Sequence, residues 1–190
     1  KVHDSNFTDY QNSLGAIYIV RDPRNIVTSM ANHYDISIDE ATRIIIDKKK
    51  FLDKSHKNCR VFVGSWGFNF NSWKEFQNKN KYILIKYEDL ITKKKTVFIK
   101  IFKFFDKLGI KIKLDIVKLN SAIKSTEFEK MKSLEQEQDF EEAPIDKKTG
   151  KRKAFFNLGP KNDWRRLLDK KNINIIESNF KKEMLELGYL

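Results

Sequence analysis

Cysteine is nearly missing: Cys59 is the only one in 190 residues. An intrachain disulfide is therefore excluded, and so is a zinc site built on a cysteine cluster. A lone cysteine fits a reducing, cytoplasmic compartment. Proline and glycine are also sparse, three and seven residues, so no Gly- or Pro-rich linker divides the chain. There is no internal repeat, and residues 1–190 read as a single domain. No apolar run is long enough to span a bilayer. Acidic residues are outnumbered, 26 against 38 basic ones, which leaves a net charge of +12. Such a surplus favours an anionic partner, whether nucleic acid, a membrane surface or a phosphorylated small molecule. The lysines are scattered, however, and no nucleic-acid-binding motif accompanies them, so no nucleic-acid partner is assigned. The first residue is Lys1 rather than Met, and a further N-terminal part is expected upstream.

Residues 16–20, Ala-Ile-Tyr-Ile-Val, read as a buried strand. Asp22 and Pro23 supply an N-cap and a first helical position, so a helix should follow at once. Ser37-Ile38-Asp39-Glu40 is a capping box that predicts a helix to about residue 54. A second buried strand is expected at 82–87, followed by a helix from about 92 to 108 that Gly109 stops. Residues 135–153 pass from an acidic to a basic run around Pro144 and Gly150 and read as a mobile loop. An amphipathic helix is expected from 172 to 187, ended by Gly188. Strands alternating with helices predict an α/β fold with a parallel β-sheet flanked by helices.

Ligands in such folds bind outside the C-terminal ends of the strands. Arg21 follows a strand end, and Ser29 lies two turns into the next helix. A guanidinium grips a phosphate bidentately, and a hydroxyl adds a donor. The plainer reading has Arg21 anchoring the turn and Ser29 packing. The lysines at 93–95, 100, 103 and 107 read as a solvated face, and His33 and His56 as surface or structural residues.

The stretch Tyr18-Ile-Val-Arg-Asp-Pro-Arg-Asn-Ile-Val-Thr-Ser29 resembles the 3′-phosphate-binding strand-turn-helix of the 3′-phosphoadenylyl-sulfate-dependent sulfotransferases. Further pieces follow the family's order. Lys1-Val2-His3 is similar to its Lys-Thr-His strand end, and Gly64-Ser65-Trp66 to its Gly-Ser-Trp turn. Tyr87-Glu88-Asp89 is similar to its Tyr-Glu-Asp, and Thr126-Glu127-Phe128 to its Thr-x-Phe pair. Phe156-Asn157-Leu158-Gly159 with Asp163-Trp164 is similar to its C-terminal loop. The resemblance implies a P-loop-kinase-like fold and 3′-phosphoadenylyl sulfate (PAPS) as co-substrate, without a metal. It implies a nucleotide held by Arg21, Ser29, Tyr87, Thr126, Phe128, Asn157, Leu158 and Gly159, with His3 as general base and Lys1 near the transferring group. Trp66, Phe68 and Phe70 would line the acceptor pocket, where a small-molecule or carbohydrate hydroxyl or amine would bind.

Two departures stand out. The family's phosphate loop is absent and would lie upstream of Lys1, so this stretch alone would be inactive. The Arg-Lys of the C-terminal loop is replaced by Asn157-Leu158, with Arg152, Lys153 or Lys161 as substitutes for the charge. The family's Lys-x-x-x-Thr-Val dimer motif has no copy either, so no oligomeric state is implied. The rival readings are a P-loop nucleotide kinase-like phosphotransferase, which would need Mg²⁺ ligands, and a basic nucleic-acid-binding module.

Overall fold

Parallel pairing of two strands sets the frame on which the rest hangs. In the computed structural model, which describes residues 2–3, 8–9, 11–52, 60–79, 81–138, 140–146 and 148–190, β1 (Ala16–Val20) pairs in parallel with β4 (Tyr82–Lys86). Ala16 lies opposite Tyr82 and Val20 opposite Lys86. Lys1, His56 and Cys59 lie outside the described residues. Between the strands run α1 (Pro23–Tyr34), α2 (Ile38–Ile46), a short antiparallel pair β2 (Phe51–Leu52) and β3 (Val61–Phe62), and α3 (Trp66–Trp73). After β4 come α4 (Tyr87–Thr92), α5 (Lys94–Lys107), α6 (Ile116–Ser125), α7 (Phe128–Glu137), α8 (Trp164–Leu167) and α9 (Lys170–Glu186). The result is an α/β fold, a parallel sheet flanked by helices.

The expected caps are in place. The Asp22 carboxylate accepts from the Arg24 backbone N–H, and Pro23 opens α1. Ser37 Oγ accepts from Glu40 N to open α2, and Ser65 Oγ does the same for Phe68 N at α3. Gly109 and Gly188 both carry positive φ just past a helix end. Inward residues of β1, α1, α2, α3 and α9 form the core, with Val20, Val27, Ile45, Phe70, Ile176 and Met184 at its centre.

Three expectations change. β1 is not buried on both faces: Ala16 and Val20 are, whereas Ile17 and Ile19 are 39% and 54% exposed. Helices cover the face that carries residues 16, 18 and 20. The second helix ends at Ile46 rather than near 54, because Leu52 pairs with Val61 across β2 and β3 instead of continuing the helical face. Finally, α7 carries the chain to Glu137, and an antiparallel bridge joins Ile145 to Arg152 within the expected loop.

Candidate functional site

The register of β1 and β4 brings the first two functional residues together. Val20 and Lys86 are partners, so the residues that follow them, Arg21 and Tyr87, emerge side by side at the C-terminal ends of neighbouring parallel strands. The Arg21 guanidinium lies over the Tyr87 ring, 4.3 Å from its centre. Its Nε is buried without a hydrogen-bond partner. A buried guanidinium N–H aimed at no protein acceptor is the kind of group a bound anion satisfies. Ser29 is exposed two turns along α1, and His33 follows one turn later on the same face.

Behind this turn is a polar knot that the sequence did not reveal. Arg24 is buried, with its guanidinium bonded to both Asp22 oxygens, to Glu177 Oε1 and to the Tyr189 carbonyl, and stacked 3.8 Å from the Trp164 ring centre. Burial works against its charge, but Asp22 and Glu177 together outweigh that and raise its pKa. Glu88 closes the knot: Oε1 accepts the Asp22 backbone N–H at 3.2 Å, and Oε2 accepts the Tyr189 hydroxyl at 2.9 Å. Burial, with the Glu88 carboxylate beside it, pushes the Tyr189 phenol up. The turn that carries Arg21 is therefore held from the first turn of α4, from Glu177 within α9 and from Tyr189 just past its end.

The loop at 156–163 is fastened to the same helix. Thr28 Oγ1 donates to Asn162 Oδ1 at 2.6 Å, Asn162 Nδ2 donates to the Asn25 carbonyl at 3.1 Å, and the Trp164 N–H donates to Asn25 Oδ1 at 3.0 Å. Gly159 has φ +50, and a Cβ there would come closer than 3.0 Å to three carbons of the Phe128 ring. Only glycine lets the loop and that ring approach so nearly. Across the loop, both Glu135 oxygens accept backbone N–H groups, from Phe155 and Phe156.

All these elements surround one cavity of about 720 Å³. Arg21, Ser29, Tyr87, Thr126, Phe128, Asn157, Leu158 and Gly159 all line it. These eight residues come from four separate stretches of chain, and the fold brings every one of them to the same wall. Lys94, His33 and Met131 join them. Lys94 had been read as part of a solvated lysine face, but its Nζ donates to the Thr126 carbonyl at the cavity's edge. Thr126 caps α6 through its own hydroxyl rather than opening α7, whose N-cap Glu127 makes no side-chain bond. Arg152, Lys153 and Lys161 do not line the cavity. Lys153 pairs instead with Asp35 at 2.8 Å.

A second cavity of about 510 Å³ opens between β1, α1, α2 and α3, and Arg21 lines it too. Trp66 is in its wall. Phe70 is not: it is 1% exposed and packs in the core, one helical turn beyond Trp66 on the inward face of α3. Phe68 is on the opposite side of the helix, 44% exposed, with its ring against Phe62.

His3 lines neither cavity. Its side chain is fully buried, with Nε2 3.2 Å from Glu75 Oε2, its ring edge-on to Phe76 at 5.0 Å and tilted against Trp73 at 5.6 Å. Its backbone N–H donates to Ser72 Oγ. The expected meeting of His3 with Arg21, Ser29 and Tyr87 in one cleft is not what this arrangement holds, because the aromatic shell beyond α3 encloses the imidazole. Among the described residues, no group of three His, Cys, Asp or Glu side chains could hold a metal ion, and no helix is long and apolar enough to cross a membrane.

The family whose model matches the chain is the sulfotransferase domain, over residues 9–188. No curated protein matches it significantly in sequence. Among solved structures, it is similar to mouse sulfotransferase SULT7A1 complexed with PAP, with 23% identity, a TM-score of 0.63, and coverage of 90% of this chain and 58% of that one. It is also similar to retinol dehydratase in complex with androsterone and inactive cofactor PAP, with 16% identity, a TM-score of 0.52, and coverage of 90% and 47%. The chain thus spans about half the length of these relatives, and at such identities the likeness is one of fold.

Proposed function

Because the chain belongs to the sulfotransferase domain family, we propose that it forms the 3′-phosphonucleotide-binding part of an enzyme that moves a sulfuryl group from PAPS to a hydroxyl or amine. The observation that carries this reading is the convergence of eight residues from four stretches on one cavity, with an unpartnered Arg21 Nε in its wall. Arg21 and Ser29 are suited to hold a 3′-phosphate, as guanidinium and hydroxyl donors. Tyr87, Phe128 and Phe156 offer aromatic faces to a purine, and Gly159 allows backbone to come close to the nucleotide.

In the reaction, the acceptor oxygen or nitrogen bonds to sulfur as the bond from sulfur to the phosphate oxygen breaks. The acceptor proton leaves to a base, and 3′-phosphoadenosine 5′-phosphate (PAP) departs with the electron pair of the broken bond. Positioning and charge stabilisation supply the rate. Arg21 lines both cavities, which suits nucleotide in one and acceptor in the other. The assignment of His3 as base belongs to the same proposal and is tested apart from nucleotide binding. If it holds, Glu75 is the carboxylate that orients the imidazole. A small-molecule acceptor and a cytoplasmic site of action complete the reading. The solved complex with androsterone, in a relative of the same fold, supports the first, and the single cysteine supports the second.

Calorimetric titration with PAP and with AMP tests the nucleotide half. The wild type should prefer PAP, and Arg21→Ala should weaken PAP by about tenfold to a hundredfold, as expected for a charge-assisted bond, while AMP changes little. Equal losses for the two nucleotides would reject the 3′-phosphate assignment.

A further inference from the structure

The second cavity has a one-sided chemistry. Its walls are largely apolar, from Ile19, Ile26, Met30, Phe51, Leu52 and Trp66. Among the described residues no aspartate or glutamate lines it, yet two residues with cationic side chains do, Arg21 and Lys50. Arg21 faces the nucleotide cavity as well. Lys50 does not, and it belongs to the segment between α2 and β2. The place of Lys50 is fixed by its backbone: its carbonyl accepts N–H groups from Val63 and Gly64, both at 3.0 Å. Gly64 has φ +60, and Val63 and Gly64 are themselves part of the cavity wall. Lys50 is half-buried, and among the described residues no carboxylate or hydrogen-bond acceptor engages its ammonium.

A cationic side chain that reaches along apolar walls loses hydration without gaining a counter-ion. An anion on the ligand would supply one, and a charge-assisted bond would form where the surroundings are only partly wet. A cavity of about 510 Å³ falls in the range of small-molecule sites. Resting on the sulfotransferase reading, we infer that the acceptor is an amphiphilic alcohol: an apolar body that carries its hydroxyl toward Arg21 and a carboxylate or similar anion toward Lys50. Lys50 would then be a specificity residue, not part of the nucleotide site.

Binding separates this inference from the reading beneath it. Calorimetry would compare ω-hydroxydodecanoate with its methyl ester, in protein saturated with PAP. The two probes share an apolar body and a hydroxyl and differ in charge and in one ester methyl, which by itself favours the ester. The wild type should bind the acid about tenfold more tightly than the ester, the scale of one partly exposed charge-assisted bond. Lys50→Ala should bring the two to equal affinity, Lys50→Arg should keep the preference, and the PAP affinity of both variants should match the wild type. Met30→Trp, which narrows the cavity, should weaken both probes. Equal affinities in the wild type, binding of neither probe, or a preference that survives Lys50→Ala would overturn the inference. Failure of PAP to bind while the Lys50-dependent preference persists would sink the transferase reading and leave the anion-selective cavity standing.

Discussion

Gly159→Ala isolates the closest approach in the candidate site. Two independent penalties act. A non-glycine residue held near φ +50 costs about 1–2 kcal/mol. The new methyl would also overlap the Phe128 ring, and overpacking of this kind costs about 1–3 kcal/mol. If nothing moved, the sum would be about 2–5 kcal/mol. Phe128 is half-buried and borders the cavity, so it has somewhere to go. The ring should yield into the nucleotide space, which trades stability loss for lost affinity. The expected outcome is a loss of about 2–3 kcal/mol in urea unfolding, or a Tm lower by about 4–12 °C for a chain of this size, together with PAP binding weakened by about tenfold or more. The double-mutant cycle with Phe128→Ala decides the cause. Removing the ring abolishes the overlap but leaves the backbone strain, so the double variant should be about 1–2 kcal/mol more stable than the sum of the single losses predicts. Additivity within about 0.5 kcal/mol would refute the contact between ring and glycine as the origin.

Other outcomes follow from the same geometry. Asn162→Ala should lower stability by about 1–3 kcal/mol in chemical denaturation, because Thr28 and the Asn25 carbonyl lose a buried partner. It should also weaken PAP, since the 156–163 loop loses its tie to α1. Tyr189→Phe should loosen the Arg21 turn through Glu88, with a several-fold loss of PAP affinity by calorimetry and about 1 kcal/mol of stability. His3→Ala should reduce stability by about 1–3 kcal/mol, given the burial of its ring. Nucleotide affinity should be unchanged, and a 10²–10⁴-fold fall in turnover per folded molecule is the result that would establish it as the base. The Asp39 pKa is held below its ordinary 3.8 by the Asn172 amide and then by Lys171. A depressed carboxylate stabilises the fold above its unfolded pKa and loses that effect as pH falls, so urea midpoints should drop between about pH 5 and pH 3. Asp39→Asn should flatten that slope.

Local signals carried far into this fold. The strand at 16–20, the cap at Asp22 with Pro23, the Ser37 box and the stop at Gly188 all depend on a few neighbouring residues, and each is where its pattern places it. The residues proposed to hold the nucleotide were picked out because several short motifs came in order, and the fold gathers them in the wall of one cavity. What failed to show is what depends on distance or on rotation. Trp66, Phe68 and Phe70 look alike in sequence, but the helical turn of α3 separates a cavity residue, an outward residue and a core residue. The Arg24–Glu177 and Glu88–Tyr189 bonds join residues more than a hundred positions apart, and nothing near Arg24 or Glu88 marks their partners. His3 carries the right neighbours in sequence, yet its surroundings are set by Trp73, Glu75 and Phe76, some seventy positions away.

The fastening of Tyr189 to Glu88 and Arg24 has a consequence for how the molecule comes into being. The turn that presents Arg21 is made well before one part of its brace, for 165 positions separate Arg24 from Tyr189. A nascent chain that has released β1, α1 and β4 still lacks the brace. The proposed nucleotide capture should therefore wait for Tyr189, and translation products that end before Tyr189 should neither sequester the nucleotide nor be rescued by it from proteolysis.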